Sequence, residues 1–165
     1  MELARYRSIL ADSVVFERLP PASLDLVLAA CELLEAAPGQ LILTEGVPGE
    51  GVYVVLEGEI EIFLPQQGGG GVWRPSPIRL NRLGPGRCFG EYGALDDQPS
   101  SASARAVGAA RLALVPKAKF RELLERQDAI GRVVYANLLR FLIGRLRSKD
   151  KELDLVFVDE TPQRG

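Results

Sequence analysis

A mainly β domain, a sandwich or barrel with helices at both ends, is the fold class this sequence predicts. Between residues 38 and 116, short β-branched runs recur, and glycine or proline separates them. Before residue 37 and after Pro116 the apolar residues fall instead at helical spacing. A chain of 165 residues, 47% hydrophobic, is enough for one full core with an appended helix.

Residues 1–37 read as a helical lead-in. Leu24, Val27, Leu28, Cys31 and Leu34 share one helical face, and "PPAS" puts Pro20 and Ser23 where a helix start wants them.

Residues 38–116 read as the barrel, with strands in "QLILTEG", "GVYVVLEG", "EIEIFLP", "VWRPSPIRL", "ASARAVG" and "ARLALVP". "EIEIF" alternates strictly, so Ile60, Ile62 and Leu64 point one way while Glu59, Glu61 and Phe63 point to a wet face. "VYVVL" has no such alternation and is expected to be buried on both faces. "QQGGGG", residues 66–71, has no side chains to pack and reads as a flexible hairpin tip. It is not a phosphate loop, since neither a lysine nor a helical pattern follows.

Residues 117–165 read as two helices and a tail. "KAKFRELLERQ" is the first helix, and Asp128 is placed to cap the second. In the second, Ile130, Val133, Val134, Leu138, Leu139, Phe141, Leu142 and Leu146 spread over about 240°. That width predicts burial against two things, the barrel and a partner helix. Arg132, Arg140 and Arg147 fill the remaining sector, and Arg145 interrupts the stripe in what reads as the last turn, where a basic residue suits the helix dipole.

The net charge of −2 gives no global attraction to nucleic acid or to an anionic membrane. The basic residues between Arg105 and Lys151 read as a solvated helix face. Cys31 and Cys88 lie in apolar settings and histidine is absent, which argues against a disulfide framework and against a metal site. No stretch has signal-peptide or membrane-spanning form, so the expected location is a reducing cytoplasm. An enzyme is not expected: the commonest general base is missing, Asp96 and Asp97 read as an exposed turn, and Ser100, Ser101 and Ser103 have no base beside them.

The stretch "CFGEYGALDDQPSSASARA", residues 88–106, carries the candidate site. Gly90 and Gly93 permit close backbone approach, and a helical turn starting near Glu91 would aim free amides at one point, a cradle for an anion. Glu91 cannot itself bind phosphate, but its carboxylate can accept from sugar hydroxyls.

The order of parts resembles the cyclic nucleotide-binding domain of the catabolite-activator and kinase-regulatory-subunit superfamily. "PGQLILTEGVPGEGVYVVLEGEIEIF" looks like the family's opening strands, with Gly39, Gly46 and Gly58 at the turns, and "LGPGRCFGE" looks like the approach to its phosphate-binding cassette. The resemblance implies a β jelly-roll barrel, a double-stranded β-helix with N-terminal helices and two C-terminal helices. It also implies a cyclic nucleotide, cAMP or cGMP, as ligand and no other cofactor.

By position, Phe89, Gly90 and Glu91 match the cassette, Tyr92 lies within it, and Gly93 takes its small position. Pro99 and Ala102 match the residues flanking the cassette arginine, and Glu91 would bind the ribose. Ser100 stands where the arginine that holds the cyclic phosphate belongs, and Ser101 where a hydroxyl can touch phosphate or guanine. Truncating one partner of a buried charge pair costs ~2–5 kcal/mol, tens to a few thousand fold in affinity. Arg74, Arg79, Arg82 and Arg87 are candidate replacements, while alternation puts Arg105, with Ser101 and Ser103, on the face opposite Ser100.

Three readings follow. The chain is a non-catalytic regulatory or sensor domain with a weakened or altered phosphate pocket, and the broad apolar face of the C-terminal helix makes it an expected homodimer through that helix. Alternatively it is a ligand-independent dimeric module for a protein partner. Least favoured is the effector domain of a transcription regulator, because "FVDETPQRG" leaves no room for a helix-turn-helix, so direct DNA binding is not expected.

Overall fold

The computed structural model describes residues 2–159, with side chains through Leu153; the rest of the expected tail lies outside them. A 3-10 turn, Glu2–Tyr6, leads into α1 (Arg7–Ala11) and α2 (Pro21–Ala30). The strands follow as β1 (Glu32–Ala36), β2 (Leu41–Leu43), β3 (Gly51–Glu57), β4 (Ile60–Leu64), β5 (Ile78–Leu83) and β6 (Cys88–Phe89). Then come α3 (Glu91–Asp96), β7 (Ser103–Ala106), β8 (Ala110–Pro116), α4 (Lys117–Arg126) and α5 (Asp128–Asp159). Two antiparallel sheets, ordered β1-β8-β3-β6 and β2-β7-β4-β5, make the jelly-roll barrel with helices at both ends.

Strand β3 divides the interior. Val52, Val54 and Leu56 face a core shared with the helices, among them Leu10, Phe16 and Phe120. Tyr53 and Val55 face the barrel core with Ile60, Leu112 and Leu114. All five are buried, so the absence of alternation in "VYVVL" reflects two covered faces.

The lead-in helix is shorter than the sequence suggests. α2 stops at Ala30, Cys31 is extended, and residues 32–36 pair with β8. Leu33 packs toward the helices and Leu34 into the barrel, so neighbouring apolar residues serve two cores from one strand. The strand expected in "VWRPSPIRL" also starts late, at Ile78, since Pro75 and Pro77 have no amide to give to a ladder.

Two further expectations are corrected. The face of β4 that carries Glu61 and Phe63 is covered, with both residues under a tenth exposed. Arg79 Nε donates to Glu61 Oε1 at 2.6 Å, Arg105 Nε donates to Oε2 at 2.8 Å, and the Arg105 guanidinium lies 4.5 Å over the Phe63 ring. Long arginine stems from β5 and β7 thus roof the face that alternation marks as wet. The glycine tip, too, is folded back: a Cβ on Gly46 would stand 2.8 Å from the Gly69 Cα, so two bare backbones meet where no side chain fits. Arg74 fastens this tip by a two-pronged bond to Glu45 at 2.9 and 3.0 Å.

Helix α5 has two halves. Ile130, Val134 and Leu138 are buried against the body, and the buried Asn137 donates to the carbonyls of Val15 and Glu17 at 3.0 and 2.8 Å. Farther along, Leu139, Ile143, Leu146 and Leu153 are exposed. Among the described residues, no helix is long and apolar enough to cross a membrane.

Candidate functional site

Strand β6 delivers the cassette to the barrel mouth. Phe89 stacks on Tyr53 with ring centroids 4.9 Å apart, which fixes the chain just before Gly90. Gly90 has φ +81°, and a Cβ there would lie 2.5 Å from the Gly51 carbonyl oxygen. Glycine is required on both counts, and the turn it makes starts α3 at Glu91.

Glu91 is 2% exposed. Burial raises its carboxyl above the usual carboxylate range, while its own backbone amide and Arg145 pull it back. Arg145 Nη1 stands 3.5 Å from Glu91 Oε1, and its guanidinium lies 5.4 Å from the Tyr92 ring centre and 5.6 Å from that of Phe141. From the sequence, Arg145 is expected in the last turn of a helix. In fact α5 runs on to Asp159, and Arg145 reaches the cassette from mid-helix. A basic residue breaking an apolar stripe was the one available sign.

The far end of α3 is gripped by α4. Asp97, in the left-handed region at φ 63°, pairs with both Lys117 and Arg121, and Arg121 Nε also donates to the Ala94 carbonyl at 3.1 Å. The Asp96 carboxylate accepts from the Gln98 amide at 2.9 Å. Both aspartates therefore hold a turn.

Beyond α3 the cassette is laced to the loop after β2. Ser100 N donates to the Val47 carbonyl at 3.0 Å, Gly46 N donates to the Ser100 carbonyl at 2.8 Å, and Ser103 Oγ accepts from Glu45 N at 2.9 Å. Ser100 is half-buried, with its Oγ beside Gly49. Pro99 and Ser101 are exposed, and Gly93 and Ala102 are half-buried. Residues 101 and 102 precede β7, so the strand alternation drawn through Ser101 does not extend to it.

Four of the five arginines weighed as replacement cations are committed elsewhere. Arg74 holds Glu45, Arg79 and Arg105 hold Glu61, and Arg82 lies 3.6 Å from Glu59. Arg87 is exposed on the turn before β6, where its carbonyl accepts from Val55 N.

A family model described as the cyclic nucleotide-binding domain matches residues 33–127, from β1 to the end of α4. The chain is 32% identical to the cyclic AMP receptor protein of Thermus thermophilus over 92% of its own length and 66% of that protein. It is 32% identical to a cAMP-dependent protein kinase regulatory subunit of Mycosarcoma maydis over 68% of its own length and 21% of that protein. The crystal structure of the Thermus thermophilus catabolite activator protein superposes with a TM-score of 0.72 at 33% identity, covering 87% of this chain and 63% of that one. The match spans both sheets, the cassette and α4 in their expected order, and the chain belongs to the cyclic nucleotide-binding domain family.

Proposed function

We propose that this chain is a non-catalytic regulatory or sensor domain whose cassette receives a nucleotide-type ligand through a phosphate pocket weakened at Ser100. The observation that carries the reading is the buried Glu91 carboxylate behind the Gly90 turn. A buried carboxylate is costly to keep charged without a counter-charge or donors, and Arg145 supplies the counter-charge from 3.5 Å. Ribose hydroxyls would supply the donors as charge-assisted hydrogen bonds. Phe89, Gly90, Tyr92 and Gly93 would shape the sugar side, and Pro99, Ser100, Ser101 and Ala102 the phosphate side. Two serines offer neutral donors where the family's pattern has a guanidinium.

Binding would pass outward by two routes, through Asp97 to Arg121 and Lys117 on α4 and through Glu91 to Arg145 on α5. The output would be a homodimer through α5. Tyr135, Leu139, Leu142 and Leu146 are spaced by the alternating four- and three-residue steps of a coiled-coil seam, and Leu153 falls one heptad beyond Leu146, past Lys149. The same seam favours a second reading, a dimeric interaction module for a protein partner that needs no ligand. The third, an effector domain of a transcription regulator, rests on the likeness to the receptor protein alone. The free thiols of Cys31 and Cys88 fit a reducing cytoplasm.

The test is thermal unfolding with and without 1 mM cAMP, cGMP or AMP, on the wild-type chain and on Ser100→Arg. A ligand with a Kd of ~100 µM stabilises by roughly 1.4 kcal/mol at 1 mM. A selective shift with a cyclic nucleotide in either protein upholds the pocket. No shift in both sinks it and leaves the ligand-independent module.

A further inference from the structure

We infer that the ligand this pocket selects is a neutral nucleoside with an intact cis-diol, in preference to a cyclic nucleotide. The inference rests on the reading of residues 88–102 as a nucleotide cradle, and a count of charge at that cradle carries it further. On the sugar side stand one carboxylate and one guanidinium, Glu91 and Arg145, within 3.5 Å of each other, and together they are neutral. On the phosphate side stands Ser100, half-buried, whose amide and carbonyl are already used by Val47 and Gly46. Only its hydroxyl is left to offer a ligand.

Arg87 apart, which is exposed on the turn before β6, the cations nearest in sequence are held elsewhere by carboxylates. Arg105 and Arg79 share Glu61, Arg74 is locked to Glu45 with both partners under a fifth exposed, and Lys117 and Arg121 close on Asp97. A cyclic phosphate would bring one negative charge into a site whose own charges already cancel. It would meet neutral donors there while losing its hydration, and burying an ion without a counter-ion is strongly unfavourable.

A nucleoside avoids that loss and keeps what the site does offer. Its two ribose hydroxyls donate to Glu91, where the buried carboxylate has the most to gain. Its 5′-hydroxyl meets the Ser100 hydroxyl as one neutral group meeting another. Arg145, lying against the Tyr92 ring, stays paired with Glu91 and need not cross to the phosphate side.

Isothermal titration calorimetry on the purified chain tests this with adenosine and guanosine, their 3′,5′-cyclic monophosphates and their 2′-deoxynucleosides. The expected result is that one nucleoside binds at least tenfold tighter than its cyclic monophosphate, and that its deoxy form loses tenfold or more. Ser100→Arg, checked for folding by circular dichroism, is expected to invert the preference.

A wild-type chain that prefers a cyclic monophosphate by tenfold, or that binds the deoxynucleoside equally well, overturns the inference. Nucleoside binding absent from the wild type, with cyclic-nucleotide binding gained by Ser100→Arg, overturns it while leaving the cradle standing. Binding absent from both proteins removes the cradle as well.

Discussion

Arg121 Nη2 lies 2.7 Å from Asp97 Oδ2, and its Nε reaches back to the Ala94 carbonyl, so one side chain of α4 closes the end of α3. The carboxylate is mostly exposed, so the pair adds little to global stability. Its effect is local. Arg121→Ala is expected to leave global stability nearly unchanged while speeding amide exchange in α3 several-fold. Hydrogen exchange followed by mass spectrometry reads both, and unchanged exchange in residues 91–97 would refute the clamp.

Glu91 sets a pH dependence of one sign. Burial raises its carboxyl in the folded chain, so the folded state holds a proton that the unfolded state gives up. Stability therefore falls as pH rises from the ordinary glutamate range through the raised value. Glu91→Gln removes that loss. It is expected to melt above the wild type at pH 7 and level with it below about pH 4.

Glu61 has the opposite sign. The hydrogen bond from Arg105, with that from Arg79, holds its carboxyl below the usual range. Its contribution is present above the unfolded carboxylate range and fades as pH drops through the lowered value. Because the arginines are half-exposed, Glu61→Gln is expected to cost about 1–2 kcal/mol at pH 7, and less in acid. Urea unfolding at two pH values measures it.

Asn137 joins α5 to the segment before α2. Asn137→Ala would leave the Val15 and Glu17 carbonyls without their donor, one of them in the core. The expected loss is about 2–3 kcal/mol, or roughly 5–10 °C in Tm.

The seam on α5 predicts a dimer. The wild-type chain is expected to sediment as a dimer at tens of micromolar, and Leu139→Lys with Leu146→Lys as a folded monomer. A monomeric wild type at that concentration contradicts the seam.

Much of this fold is legible in the sequence because glycine or proline punctuates the barrel strands and β3 is apolar from Val52 to Leu56. β1 is hidden for a physical reason. "ELLEA" puts Leu33 and Leu34 into different cores, and Leu34, three residues after Cys31, continues the helical spacing although it lies in a strand. The roof over Glu61 is hidden because alternation records which way a side chain points and says nothing about arginines arriving from neighbouring strands. At the site, Phe89, Gly90 and Glu91 are marked by local motif. Arg145 is not, since 54 residues (145 − 91) separate it from the carboxylate it meets. Only the folded chain shows that the two are neighbours.

The division of α5 near Leu138 has a mechanical corollary. From that anchored point to Leu153 the helix extends some 20 Å at 1.5 Å per residue. A tilt of about 5° at the anchor would therefore carry the Leu153 end nearly 2 Å, roughly the rise of one residue. Arg145 lies about halfway along this arm, so a small displacement at Glu91 would arrive at the far end approximately doubled, and the helix would act as a pointer for its own pocket.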